Sequence, residues 1–135
     1  MATIIILLVN IAFANINEHV DKYSEMYRID KNIINKIIQV ESSGQELSYN
    51  DGCIGLMQIK YDTAKLMDYK GTVKDLYKPE NNIRYGTKYL RYLMIAFDGD
   101  INKVVAAYNR GPNYVDKNPN KDWSKDKYVL KILGE

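Results

Sequence analysis

One cysteine, one histidine, three prolines and eight glycines in 135 residues remove several classes of protein at once. A lone Cys53 supports no intramolecular disulfide framework, and with only His19 beside it no Cys-based zinc site. So little glycine and proline excludes collagen-like and proline-rich material. Charge of one sign is also lacking. Nineteen Lys and Arg face seventeen Asp and Glu, a formal net charge of +2. Even the Lys-rich stretch from Lys117 to Lys131 is interrupted by Asp122 and Asp126, so it reads as a solvated face rather than the clustered basic surface of a nucleic-acid binder. No repeat, second composition zone or series of alternating strand runs is present. What remains is 46% hydrophobic and 27% charged, the composition of one globular domain.

The first fourteen residues differ from the rest. Met1–Ala14 carries no charged side chain, and Ile4-Ile5-Ile6-Leu7-Leu8-Val9 is a continuous apolar run. Ala12-Phe13-Ala14 has the small-x-small form of an export cleavage site. The run is shorter than the roughly 20 residues that a bilayer crossing takes. Residues 1–14 are therefore expected to be a signal peptide and 15–135 the mature domain, without stable membrane insertion. The competing expectation is a buried first element of the fold.

Helical periodicity runs through the remainder. Val20, Tyr23, Met26 and Tyr27 predict a helix over Asn17–Arg28, with Asn15 or Asn17 as its cap. Asp30 caps a second helix whose stripe is Ile33, Ile34, Ile37, Ile38 and Glu41, ended by Ser42-Ser43-Gly44. Gly44 to Lys60 reads as mostly irregular, with a turn at Tyr49-Asn50-Asp51-Gly52. A short helix from Asp62 or Thr63 to Met67 precedes a loop near Gly71. Pro79 opens a long helix with Ile83, Leu90, Leu93, Met94 and Phe97 on one face, closed by Gly99. Asp100 caps another, which Gly111-Pro112 stops. Trp123–Leu133 is the last, with Tyr128, Val129, Ile132 and Leu133 inward. The fold class is all-α.

Three local patterns carry chemistry. Glu41 shares a helix face with Ile34, Ile37 and Ile38, and a carboxyl held against apolar groups loses hydration, which raises its pKa toward a proton donor's range. Periodicity alone is equally met by a Glu turned to water at a helix end. Gly55-Leu56-Met57-Gln58-Ile59, introduced by Gly52-Cys53-Ile54, is the second; the glycines at 52 and 55 let backbone come close to another group, and Gln58 offers both donor and acceptor. Ala106-Ala107-Tyr108-Asn109-Arg110-Gly111-Pro112 places an aromatic and an amide at a helix end.

In order, Val40-Glu41-Ser42-Ser43-Gly44, Gly55-Leu56-Met57-Gln58-Ile59, Thr63-Ala64, Asn81-Asn82-Ile83, Gly86-Thr87-Lys88-Tyr89-Leu90, Ala106-Ala107-Tyr108-Asn109-Arg110-Gly111 and Lys127-Tyr128-Val129-Leu130-Lys131-Ile132-Leu133 resemble the lytic transglycosylase domain of the soluble-transglycosylase type. The likeness covers roughly Tyr23 to Leu133. It implies a single lysozyme-like helical domain related to goose-type lysozyme. It also implies Glu41 as catalytic acid and base, Ser42 as its motif partner, and Met57 and Gln58 along the sugar groove. Tyr108, Asn109 and Tyr128 would stand beside the Glu. Two departures stand out: Lys60-Tyr61 occupies the place where many members have proline, and the serine expected between the Glu and the Gly-Leu-Met motif is either Ser48 or replaced by Asn50.

The implied reaction cuts the β-1,4 bond between N-acetylmuramic acid and N-acetylglucosamine in peptidoglycan glycan strands, giving a 1,6-anhydro sugar without metal or organic cofactor. One carboxyl serves both steps, where most glycosidases use two. Glu46 and Asp51 lie in a polar loop with no periodic reason to face Glu41. A hydrolytic muramidase and a non-catalytic wall-binding module of the same fold are the rivals. The expected signal peptide implies export, a monomer is expected, and wall turnover, a secretion or conjugation assembly and a phage assembly stay open as settings.

Overall fold

A computed structural model describes residues 1–134. Eight α-helices and three two-residue strands are present among them: α1 (Ala2–Tyr27), α2 (Lys31–Ser42), β1 (Tyr49–Asn50), β2 (Cys53–Ile54), β3 (Ile59–Lys60), α3 (Tyr61–Leu66), α4 (Val73–Leu76), α5 (Pro79–Ala96), α6 (Ile101–Arg110), α7 (Pro112–Asp116) and α8 (Lys127–Leu133). The helical class is as the sequence leads one to expect, and Asp30 and Asp100 cap where expected, whereas neither Asn15 nor Asn17 caps α1 and Lys60 rather than Asp62 or Thr63 precedes α3. The Asp30 carboxylate accepts from Asn32 N at 2.8 Å to start α2, and the Asp100 side chain accepts from Lys103 N to start α6. Each satisfies an amide that the helix's own ladder leaves free.

Helix α5 is the axis of the domain. It lies against the C-terminal half of α1, against α3, α4 and α6, and against β3. Its inward face is Asn82, Ile83, Gly86, Thr87, Leu90 and Leu93. Helix α8 bridges α2 and α6 on the far side, which is what closes the region around Glu41.

Five boundaries differ from the sequence expectation. Helix α1 does not begin near Asn17 but runs unbroken from Ala2, because nothing between Ala14 and Glu18 breaks a helix. Its first fourteen residues are exposed, so they are not a buried first element. The whole helix is long and apolar enough by length and composition to cross a membrane, which the short Ile4–Val9 run alone is not. The span 44–60 is mostly irregular, as expected, but it also holds a small antiparallel sheet, β1-β2-β3, that the sequence did not announce. Asp51 (φ 49°) and Gly52 (φ 82°) form its first turn, with Asn50 paired to Cys53, and two-residue strands are too short to show alternation. The four-residue α4 was not foreseen. Gly111-Pro112 ends α6 but at once begins α7, with proline at the first helical position. Finally, Asp126 splits the last helix into a 3₁₀ turn (Trp123–Lys125) and α8.

Sheet and axis are joined by one buried amide. Asn82 Oδ1 accepts from Met57 N at 2.8 Å, and its Nδ2 donates to Ile54 O at 2.8 Å and Leu76 O at 3.0 Å. Gly55, at φ 73°, is required beneath it: a Cβ there would fall 2.4 Å from Asn82 Nδ2. Truncating a buried side chain that satisfies three backbone groups leaves each of them unpaired. Asn82→Ala is expected to lower stability by about 3 kcal/mol or more, read as a reduced urea midpoint. Ser42→Ala, whose hydroxyl donates to only one backbone carbonyl outside its own helix, is expected to cost about 1 kcal/mol.

Candidate active site

Glu41 sits in the last turn of α2, one side of which is buried through Ile34, Ile37 and Ile38. The carboxyl is half-buried, and the Tyr128 hydroxyl donates to its Oε1 at 2.7 Å. Burial raises the Glu41 pKa, while the Tyr128 hydrogen bond and the charge of Lys131 oppose the rise without cancelling it. The tyrosine is affected reciprocally: burial and the neighbouring carboxylate hold its hydroxyl protonated far above the ordinary tyrosine range. It is a fixed donor at any physiological pH.

The second wall comes from the end of α6. The Tyr108 hydroxyl donates to Met57 O at 2.7 Å, tying α6 to the sheet. Burial first, then the charge of Glu41, pushes its pKa well up. Beside it opens a cleft of about 200 Å³ whose lining includes Cys53, Gln58, Lys60, Thr63, Tyr89, Tyr108, Asn109 and Arg110. Glu41 does not itself line this cleft. Its charge nevertheless acts on both Cys53 and Tyr108, which do, so carboxyl and cleft are neighbours. Among the described residues no group of three His, Cys, Asp or Glu could hold a metal ion.

The residues singled out from the sequence fall into two groups. Gln58, Tyr108 and Asn109 line the cleft and Tyr128 touches Glu41. The others act from behind. Ser42 is buried, its hydroxyl donating to Ile38 O and to Leu56 O at 2.7 Å, so it anchors the Gly55-Leu56 loop to α2 instead of facing a ligand. The Met57 side chain is fully buried rather than along the groove: a Cβ on Gly86 would meet its sulfur at 2.5 Å. Only its carbonyl serves the site. Ser48 contributes its backbone oxygen, which accepts from Gly55 N at 2.8 Å and Gln58 Nε2 at 3.1 Å. This shapes the loop that carries Gln58, itself at φ 50°. Asn50 is exposed in β1. Tyr89 and Thr63 were present in the motifs but not assigned. Tyr89 packs 5.7 Å from Tyr108, and burial with the nearby Tyr92 pushes its pKa up to about 12. Its signal was the helical spacing from Tyr85 along the face carrying Gly86.

A helical domain with a small antiparallel sheet, and a half-buried carboxyl at the end of the helix preceding that sheet, has the lysozyme-like architecture. The chain belongs to the family described as the transglycosylase SLT domain, which matches residues 18–131. It is 35% identical over 102 residues to membrane-bound lytic murein transglycosylase E of Buchnera aphidicola subsp. Acyrthosiphon pisum, covering 70% of this chain and 46% of that protein. It is 33% identical over 97 residues to the transglycosylase of Enterobacteria phage PRD1, covering 71% of this chain and 35% of the other. The chain thus spans less than half the length of these relatives. Among solved structures, the 70 kDa soluble lytic transglycosylase of Escherichia coli superposes with a TM-score of 0.70 at 27% identity, over 86% of this chain and 19% of that one. Pseudomonas aeruginosa Slt gives 0.72 at 24% identity over 88% and 20%, a likeness of fold.

A carboxyl with a raised pKa has a definite effect on stability. The folded state binds its proton more tightly than the unfolded chain does. Its contribution is therefore intact below the ordinary carboxylate pKa and is lost as the pH climbs through the folded value. Glu41→Gln, which never ionises, is expected to melt with the wild type near about pH 4 and above it near about pH 8, seen by calorimetry across that range. A gap that narrows toward alkaline pH would contradict a dehydrated Glu41.

Proposed function

We propose that this domain is a peptidoglycan lytic transglycosylase and that Glu41 is its acid and base. The observation that carries the reading is the Glu41 carboxyl itself, dehydrated by α2's apolar face yet aligned by a tyrosine that cannot ionise. The names of the relatives, lytic murein transglycosylases, support the same substrate.

In this reading protonated Glu41 gives its proton to the glycosidic oxygen between N-acetylmuramic acid and N-acetylglucosamine as the bond to the anomeric carbon breaks. The carboxylate left behind accepts the proton of the muramic 6-hydroxyl, whose oxygen bonds to the anomeric carbon. The proton count closes, no water is consumed, and Glu41 is returned to its starting state. A raised pKa suits the first half-reaction and a positioned carboxylate the second. Gln58 and Asn109 offer amide donors and acceptors to acetamido and hydroxyl groups, and Tyr89 and Tyr108 offer ring faces in the cleft. Glu46 and Asp51, the acidic residues of the loop that follows Glu41, are both exposed.

Glu41→Gln is expected to reduce cleavage of purified sacculi by about three orders of magnitude, within what general acid–base catalysis contributes, with binding retained. Mass spectrometry of wild-type products is expected to show anhydromuramic ends, lighter by one water than reducing ends. Reducing ends would make the domain a muramidase, and undiminished lysis by the variant would remove Glu41 from the reaction.

We further propose export to the periplasm or cell exterior, with the protein acting as a monomer and residues 1–14 serving as the export segment. Support comes from their lack of charge, their full exposure along α1, and the family match beginning only at residue 18. Removal after Ala14 keeps Val20 and Tyr23, the residues with which α1 enters the core. N-terminal sequencing of the exported protein is expected to begin at Asn15. A mature chain that keeps its N-terminal residues and sediments with membranes would instead make α1 an anchor.

A further inference from the structure

Beside the Glu41–Tyr128 contact lies an ion pair, buried on its aspartate side and open to solvent on its arginine side, that the reaction does not require. Arg110, the last residue of α6, donates from Nε and Nη2 to one oxygen of Asp126, at 2.9 and 2.8 Å. The other oxygen, Oδ1, accepts from the backbone amides of Tyr128 at 2.9 Å and Val129 at 3.3 Å. The Asp126 side chain is only 1% exposed, and Lys121 Nζ approaches it at 3.7 Å. Burial alone would raise the pKa of this carboxyl, but Arg110 and the two amides more than offset it and hold the group below the ordinary range. An aspartate this deep is ionised and fully partnered.

Its position gives it a role. Helix α8 has seven residues, too few to be stable alone, so its first turn is defined by what caps it. Tyr128 is the second residue of that turn. The Asp126 cap thus sets the placement of the tyrosine backbone, and the tyrosine hydroxyl reaches Glu41. The other side of the pair is equally connected. Arg110 lies two residues beyond Tyr108, in the turn that holds the second tyrosine hydroxyl against Met57 O. One carboxylate therefore registers the end of α6 against the start of α8, and with them the two tyrosines flanking Glu41.

We propose that Arg110 and Asp126 are positioning residues for Glu41, acting through Tyr128, and that their pairing fixes the hydrogen bond Glu41 receives. The proposal rests on the reading of Glu41 as the acid for its effect on rate, but its geometry can be tested without turnover. The groups facing Glu41 are Tyr128 and Lys131 of α8, Tyr108 of α6 and Cys53 of β2, so a shift in its titration has few other sources.

The test follows the Glu41 carboxyl by ¹³C NMR through a pH titration in the wild type, Tyr128→Phe, Arg110→Gln, Arg110→Lys and the Arg110→Gln/Tyr128→Phe double variant. Tyr128→Phe removes the hydrogen bond and is expected to move the midpoint upward by about one pH unit. Arg110→Gln is expected to move it the same way, and the double variant no further than Tyr128→Phe alone. Arg110→Lys keeps the charge without the two-pronged geometry and is expected to fall between wild type and Arg110→Gln. On glycan substrate, Arg110→Gln is expected to lower kcat on the order of tenfold or more, as a slightly misplaced catalytic group does. The alkaline limb of its pH profile is expected to move upward.

An unchanged midpoint in Arg110→Gln would overturn the proposal. So would a double variant showing the sum of the two shifts, since the guanidinium would then act on Glu41 by its charge alone. Asp126→Asn, which keeps the cap acceptor, carries the same expectation should Arg110→Gln fail to fold. Failure of both would show the pair to be a fastening of the domain and nothing more. A wild type that titrates as expected but cleaves no glycan would sink the proposed function while leaving the brace intact.

Discussion

In the proposed reaction one carboxyl both releases and recovers a proton, so it cannot be fully dry or fully wet, and Glu41 is held between those limits. The apolar stripe of α2 removes water from one side. Desolvation on its own favours the neutral form without limit. The Tyr128 hydroxyl supplies the counterweight, a single short hydrogen bond that favours the charged form. Because the tyrosine is itself buried and remains protonated, the balance does not drift with pH in the range where carboxyls and histidines titrate. Every other element near the site can be understood as keeping this pair at its distance while leaving the adjoining cleft open.

The scaffold does this with buried polar groups that bind backbone. The Asn82 amide fastens the Ile54–Met57 loop to α5, the Ser42 hydroxyl fastens the same loop to α2, and Tyr108 fastens it to α6. Three helices thereby hold one short loop, and Gly55 in the loop and Gly86 on α5 let the two come close. These three anchors, more than the sheet with its two-residue strands, position the cleft wall beside Tyr108.

Much of this was legible in the sequence, to different depths. Helix faces and caps were, since a 3.6-residue period and an aspartate before it are local signals: Asp30 and Asp100 cap where expected. Glu41 was visible as a carboxyl on an apolar stripe, although periodicity did not decide whether it faced protein or water. The sheet was not legible, because two-residue strands leave no alternation to read, and neither was the start of α7 immediately after Gly111. Met57 illustrates a different limit. A motif names a position without saying which atoms matter, and there the carbonyl serves the site while the thioether fills the core against Gly86. Asp126 carried a local clue, an aspartate before a short apolar period. Its partner Arg110 lies sixteen residues earlier, beyond the reach of any helical spacing.

The hydrogen bond between Tyr128 and Glu41 joins residues 87 positions apart. Contacts that close so long a stretch of chain are entropically costly and tend to form late, after nearby segments have settled. Until the final helix docks, the carboxyl on α2 lacks its one donor and has more water around it. A half-made copy, or one still threading out of a ribosome, thus carries the acidic group but not its tuning. The hydrogen bond at Glu41 therefore exists only once α8 has been made and has docked.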